Sequence, residues 1–313
     1  MIETVREHLG KTIKEIQYPN LETIINGKVR DIFALENGRM LIAVSDRISV
    51  FDRVVGTIPF KGQVLNGIAN WWFNKTAGII QNHLFEVPHG QLSVVKRLSP
   101  LPVEIIVRGY LTGTSSTSIL TAYKRGERLY CGHTLPDGLV DHQKLAVNLV
   151  TPSTKGHAGE HDMNISRREI IEGGLVSEEI YDKVERAALA LFEAGQLQAA
   201  SSGLILADTK YEFGLDDEGS LYIIDEIHTP DSSRYWYADD YDDHVKKGKS
   251  PRGLDKDTVR HYMQKIGYNG DGPIPPIPDE VRIEASLKYI KLYEILTGTE
   301  FTPDLRSIYN INF

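Results

Sequence analysis

Cysteine is nearly absent: Cys131 is the single thiol in 313 residues. One thiol cannot close an intramolecular disulfide, so the core must hold the fold, as suits a reducing compartment. No reactive motif surrounds Cys131, which reads as a small, partly buried side chain. Long apolar runs are missing too. None approaches the ~20 residues of a membrane span. Residues 1–10 carry charges every few positions and lack the apolar stretch of a signal peptide. A cytoplasmic location with no membrane partner is expected. Nor is there a basic excess: 35 Lys and Arg stand against 43 Asp and Glu, a net charge of −8. No nucleic-acid partner is expected. The patterns GxSxG, CxxC and GxGxxG do not occur. His157 and His161 sit in a GHAGEHD run that is not HExxH, and its glycines argue against the helix a zinc pair needs. There is no internal repeat and no low-complexity segment.

What is present is an ordinary globular composition, 41% hydrophobic, in a chain long enough for one large domain or two unequal lobes. Strands are predicted at 23–26, 28–36 and 40–45. Asn26-Gly27 marks a tight turn and Asn37-Gly38 a hairpin. Leu65, Ile68, Ala69, Trp72 and Phe73 repeat at helical spacing and predict a helix over 64–80, followed by a strand at 103–108. Ser177 is a natural N-cap for a helix to about Ala200, with an apolar stripe of Ile180, Val184, Ala187, Ala188 and Leu191. Strands at 203–213 and 220–228 come next, then a helix near 256–266. A Gly/Pro-rich strap at 267–278 leads to an amphipathic helix from Asp279 to Thr297, with Gly298 as its C-cap. The expected fold is α/β (α+β) and two-lobed. A β-rich lobe covers 1–110 and an α/β lobe 111–313, with a ligand cleft between them.

The most informative segment is Leu204–Gly214 followed by Leu221–Glu226. Strand side chains alternate faces, so Asp208, Lys210 and Glu212 share one. If Asp216 and Gly219 flank a two-residue turn, Asp225 falls opposite Lys210 on that same face, diagonal to Glu212. Three carboxylates crowded together resist joint ionisation. Lys210 offsets one, and a Mg²⁺ ion would offset the others. The alternative is a solvated hairpin face. Ile205, Ala207, Tyr211 and Phe213 are expected to pack on the opposite side. An odd-residue loop would instead bring Ile224 and Glu226 to the carboxylate face.

Three further segments could hold phosphates. Gly27 lets backbone approach a ligand, and Lys28 and Arg30 project beyond it. Arg108 precedes a run of glycines and hydroxyls that includes Thr114 and Ser115, able to wrap a phosphate monoester. Asp231, Ser233 and Arg234 lie in a third such segment, directly after the carboxylate strand. The alternative is an ordinary exposed strand for the first segment and a polar loop for the second.

Taken in order, GKVRDIF (27–33), SDRISVFD (45–52), IPFKGQVLN (58–66), VRGYLTGTS (107–115), TPSTK (151–155), LADTKYEFG (206–214), DEIHTPDSSRYW (225–236) and SPRGLDKD (250–257) resemble the SAICAR synthetase family in its longer single-chain form. The resemblance covers nearly the whole chain. It implies a kinase-like or ATP-grasp-like fold with the ATP cleft between lobes. It also implies a reaction, in which carboxyaminoimidazole ribotide, L-aspartate and ATP give SAICAR, ADP and phosphate. By similarity, Gly27, Lys28 and Arg30 lie over the ATP phosphates, and Glu212 and Asp225 hold Mg²⁺. Arg108 and Arg234 match residues on the ribotide 5′-phosphate, and Thr114 stands where serine is common. Ser115 and Ser233 belong with them on the substrate side. Asp208, Lys210 and Asp231 face substrate, and Lys28, Lys210 and Asp208 are the candidate catalytic residues. The partners implied are small molecules only, and the protein a monomer. The pattern leaves the L-aspartate ligands unassigned. A small-molecule kinase using the same ATP cleft and a non-catalytic nucleotide sensor are the other readings.

Overall fold

The structure, a computed structural model, describes residues 1–51, 53–155, 163–254, 257–311 and 313. The short helix α1 (Ile2–Glu7) leads into strands β1 (Thr23–Asn26), β2 (Arg30–Ala34) and β3 (Arg39–Val44). The β2–β3 turn is the predicted one: Asn37 and Gly38 both take positive φ, 57° and 68°, as the tightest hairpins require. A small hairpin, β4 (Arg47–Val50) and β5 (Arg53–Thr57), precedes helix α2 (Lys61–Lys75). Strands β6 (Leu84–His89) and β7 (Leu92–Lys96) complete an antiparallel sheet in the order β1-β2-β3-β7-β6.

The second sheet starts with β8 (Ser99–Pro100) and β9 (Val103–Tyr110). Helix α3 (Ile119–Lys124) and the strands β10 (Leu129–Tyr130) and β11 (His133–Thr134) form an excursion before β12 (Lys144–Val150) and β13 (Ser153–Thr154). Helices α4 (Arg167–Glu172) and α5 (Glu178–Ser201) follow, then β14 (Leu204–Leu215), β15 (Leu221–Ile224) and β16 (Ser233–Tyr237). Its main path runs β12-β9-β14-β15, and β8 and β16 also pair with β14. Because β9 is hydrogen-bonded into this sheet, the two sheets part near residue 97, ahead of the expected lobe boundary at 110. Helices α6 (Tyr241–Lys246), α7 (Asp257–Lys265) and α8 (Asp279–Thr297) close the chain.

One apolar cluster joins the lobes. It contains Val44 and Val95 of the first sheet, Trp72 and Phe73 of α2, Ile105 and Tyr211 of the second sheet, Val184 and Leu191 of α5, and Tyr289 of α8. Local signals placed α5 and α8 well. The Ser177 hydroxyl accepts the Ile180 N–H, and Gly298 ends α8 with φ 68°. Helix α2 starts three residues ahead of the expected 64 and ends at Lys75, short of the expected 80. Its first turn is capped from a distance, by the Asp46 carboxylate on the Gly62 N–H at 2.9 Å. Among the described residues no helix is long and apolar enough to cross a membrane.

Candidate active site

Strand β14 carries the centre of the site. Asp208, Lys210 and Glu212 share its cleft-facing side, and Arg108 of β9 lies directly opposite Asp208. Lys210 Nζ meets Glu212 Oε1 at 2.6 Å, Glu104 Oε1 at 2.9 Å and Asp225 Oδ2 at 3.9 Å. Burial alone would pull this amine down. Glu212, Glu104 and Asp225 outweigh that and hold it well above its ordinary value. Glu212 also takes Lys155 Nζ on Oε2 at 2.5 Å. Burial favours its neutral form, yet Lys210 and Lys155 bring its carboxyl down to about 2.

The hairpin register differs from the two-residue turn expected. The Asp216 N–H donates to the Ser220 carbonyl at 3.1 Å, enclosing three residues, and Glu212 pairs with Ile224. Ile224 therefore lies on the face foreseen for Asp225, opposite Glu212. The strand ends there, and Asp225 adopts φ 63°. That left-handed step breaks the alternation and swings the Asp225 carboxylate back to Lys210 and Arg30, the latter at 3.5 Å. Burial pushes the Asp225 carboxyl up to about 6. Arg30 pulls it back, and Glu212 adds to the rise. Among the described residues its carboxylate accepts no hydrogen bond; it has only these ion pairs.

A β-bulge between Leu206 and Asp208 also changes the expected packing. Tyr211 and Phe213 do face the core. Ile205 and Ala207 instead pack with Tyr110 and Trp236, on the side of β9 that carries Arg108.

Arg30 reaches out of the first sheet to Glu226. It donates from Nη1 to Oε1 at 3.1 Å and from Nη2 to Oε2. The Thr229 hydroxyl donates to the same carboxylate. Burial works against the Arg30 charge, but Glu226 and Asp225 keep it firmly protonated. Lys28 is exposed on the turn before β2. That turn closes with the Gly27 N–H on the Arg30 carbonyl, where a Cβ on Gly27 would stand 2.6 Å from the same oxygen. Arg47, paired with Asp31 at 2.8 Å, donates to the Gly27 and Lys28 carbonyls and fixes the turn's backbone.

Four residues back along β14, a cavity of about 220 Å³ gathers the other candidates. Arg108, Thr114, Ser115, Asp208, Asp231, Ser233 and Arg234 all line it. Asp208 Oδ2 accepts Arg234 Nη1 at 2.9 Å and Arg108 Nη1 at 3.2 Å, so this carboxylate holds two guanidinium groups side by side. Arg108 is further oriented by Thr151, at 2.9 Å. The Ser233 hydroxyl is bonded to Thr209 at 2.7 Å. Arg260 of α7 also lines the cavity and donates to the Thr114 hydroxyl at 3.2 Å. Three guanidinium groups at one small cavity suit a phosphate dianion.

Sequence reasoning missed Glu104, Lys155, Arg260, Lys61 and the role of Glu226. Only Glu104 had a local signal, being four residues before Arg108 and therefore on the same strand face. His157 and His161 lie outside the described residues.

The family model described as SAICAR synthetase matches residues 23–275. The chain belongs to the SAICAR synthetase family. It is 44% identical over 304 residues to the chloroplastic phosphoribosylaminoimidazole-succinocarboxamide synthase of Arabidopsis thaliana, covering 96% of this chain and 73% of that one. Among solved structures, the SAICAR synthase of Saccharomyces cerevisiae complexed with SAICAR superposes with a TM-score of 0.81 at 30% identity, over 93% of this chain and all of that one. A type-2 SAICAR synthetase solved with ADP shares the fold, with a TM-score of 0.65 at 24% identity over 90% of this chain and all of that one. The family and the mixed α/β, two-lobed fold expected from the motifs are thus borne out.

Proposed function

We propose that this family member is an ATP-dependent ligase that condenses carboxyaminoimidazole ribotide with L-aspartate, giving SAICAR, ADP and phosphate in purine biosynthesis. One observation carries the proposal. A single strand, β14, presents an arginine-rich anion cavity at Asp208 and a cation-ready acidic patch at Glu212. Four residues of strand span roughly 13 Å, the scale of a mononucleotide. A ribotide with its 5′-phosphate on Arg108, Arg234 and Arg260 would extend its base toward the patch.

A carboxylate is a poor electrophile. Transfer of the ATP γ-phosphoryl group to the ribotide carboxylate would make an acyl phosphate. The aspartate amine would then attack its carbonyl, forming the amide as phosphate leaves. Such chemistry depends on positioning and charge neutralisation. Asp208 holds the phosphate-binding arginines in place, while Lys210, kept protonated by its three carboxylates, neutralises charge developing on the transferred group. Lys28, Gly27 and Arg30 are assigned to the ATP side. With Arg30 tied to Glu226, its role there is to anchor β2 to the residues just after β15. Asp225 and Glu212 fit a Mg²⁺ ion. Asp225 is a half-buried carboxylate that, among the described residues, accepts no hydrogen bond, and two carboxylates with substrate phosphates are what Mg²⁺ commonly uses. When bound, the ion would offset phosphate charge during transfer. We also propose that the protein is a cytoplasmic monomer.

An ADP-release assay with each substrate omitted in turn tests this. Release should require ribotide, aspartate and ATP together. Sustained, multiple-turnover release without aspartate would indicate a kinase, and ATP binding without turnover a sensor.

A further inference from the structure

Lys61 opens α2, and none of its side chain reaches solvent. Burial makes this a costly place for an ammonium ion. Burial strips its hydration, and Arg30 adds repulsion; both pull the amine down, while Asp231 and Glu226 pull it back. The N-terminus of a helix repels a cation as well. A methionine would fill the same volume with none of these penalties, so packing does not account for the charge.

What the charge meets is Asp231. Lys61 Nζ lies 2.6 Å from Asp231 Oδ2, and the Tyr289 hydroxyl of α8 donates to Oδ1 at 2.8 Å. Both oxygens are thus anchored, one from α2 and the other from α8. The Asp231 side chain is 11% exposed and lines the arginine-rich cavity. Among the described residues two carboxylates line that cavity, and the other, Asp208, is committed to Arg108 and Arg234. A ribotide has O–H and N–H donors as well as a phosphate, and arginines cannot accept from them.

We propose that Lys61 is a positioning residue: with Tyr289 it locks the Asp231 carboxylate at the rim of the cavity, where that carboxylate accepts a hydrogen bond from a sugar hydroxyl or amine of the ribotide. The inference rests on the ligase function proposed above and extends it to a residue deep in the first lobe.

The test compares wild type, Lys61→Met and the double variant Lys61→Met/Asp231→Asn in steady-state kinetics and thermal melts, with a crystal structure of Lys61→Met. In Lys61→Met the ribotide KM should rise on the order of tenfold or more, with the ATP KM held within about twofold. The Asp231 carboxylate should turn away from the cavity. If loss of the Lys61 charge keeps the single variant from folding, the double variant decides, because it removes the Asp231 charge as well. It should melt near wild type yet keep the raised ribotide KM. A double variant with wild-type ribotide KM would reduce Lys61 and Asp231 to a structural pair and overturn the proposal. So would Asp231 unmoved in the Lys61→Met crystal, whatever the turnover. Wild-type protein without ribotide-dependent ADP release would instead refute the ligase function, and the position of Asp231 would still judge Lys61.

Discussion

Replacing Lys210 by methionine keeps the side-chain stem and removes only the ammonium. Glu104 and Glu212 then lose a partner at 2.9 and 2.6 Å, and Asp225 one at 3.9 Å. Breaking a buried ion pair from one side costs ~3–5 kcal/mol. Lys210 is 26% exposed, so the low end, about 3 kcal/mol, applies. At ~2.1 cal/mol/K per residue, a chain of this length has an unfolding entropy of roughly 0.66 kcal/mol/K, and Tm should fall by about 5 °C. The loss should depend on pH. Without the cation, the Glu212 carboxyl rises from about 2 and the Asp225 carboxyl climbs above its present value of about 6. A carboxyl whose pKa is raised by folding binds more protons folded than unfolded, so stability falls as pH rises through that interval. The deficit of Lys210→Met against wild type should therefore be larger at pH 8 than at pH 5.5, where proton uptake relieves the repulsion. Calorimetric melts at the two pH values measure it. A Tm within about 1 °C of wild type at pH 8, or the same deficit at both pH values, would refute the claim that these carboxylates depend on Lys210.

Two substitutions probe the rest of the site. Asp225→Asn should abolish turnover and leave Tm at pH 8 unchanged or higher, because asparagine tolerates the φ of 63° and the half-buried charge is gone; near-normal kcat at saturating magnesium would remove Asp225 from the metal site. Arg234→Ala should raise the ribotide KM by about tenfold or more and leave the ATP KM within about twofold, since a charge-assisted bond to phosphate is worth ~1.5–3 kcal/mol; an unchanged ribotide KM would exclude it from the phosphate cavity.

The carboxylate hairpin shows how far a strand pattern carries. Alternation placed Asp208, Lys210 and Glu212 together, because neighbouring side chains of one strand obey a fixed period. Asp225 was brought to them for a reason that pattern did not contain. The expected turn was one residue too short, and the positive φ of Asp225 compensated for the shift. The pairs that join distant segments had no local mark at all. Arg30 and Glu226 are separated by 196 positions, and Lys61 and Asp231 by 170.

From the sequence alone, the caps of α5 and α8, the Asn37-Gly38 hairpin and the ordered motifs determined the longest helices, the first hairpin, the family and most of the candidate residues. These are short-range facts: a hydroxyl three residues from its N–H, a glycine that accepts positive φ, a repeat every three to four positions. Only the tertiary structure decided which charges meet. It gave Asp208 to two arginines, tied Arg30 to Glu226 and buried Lys61 against Asp231. Ion pairing depends on distance in space and on loss of water, and chain spacing reports neither.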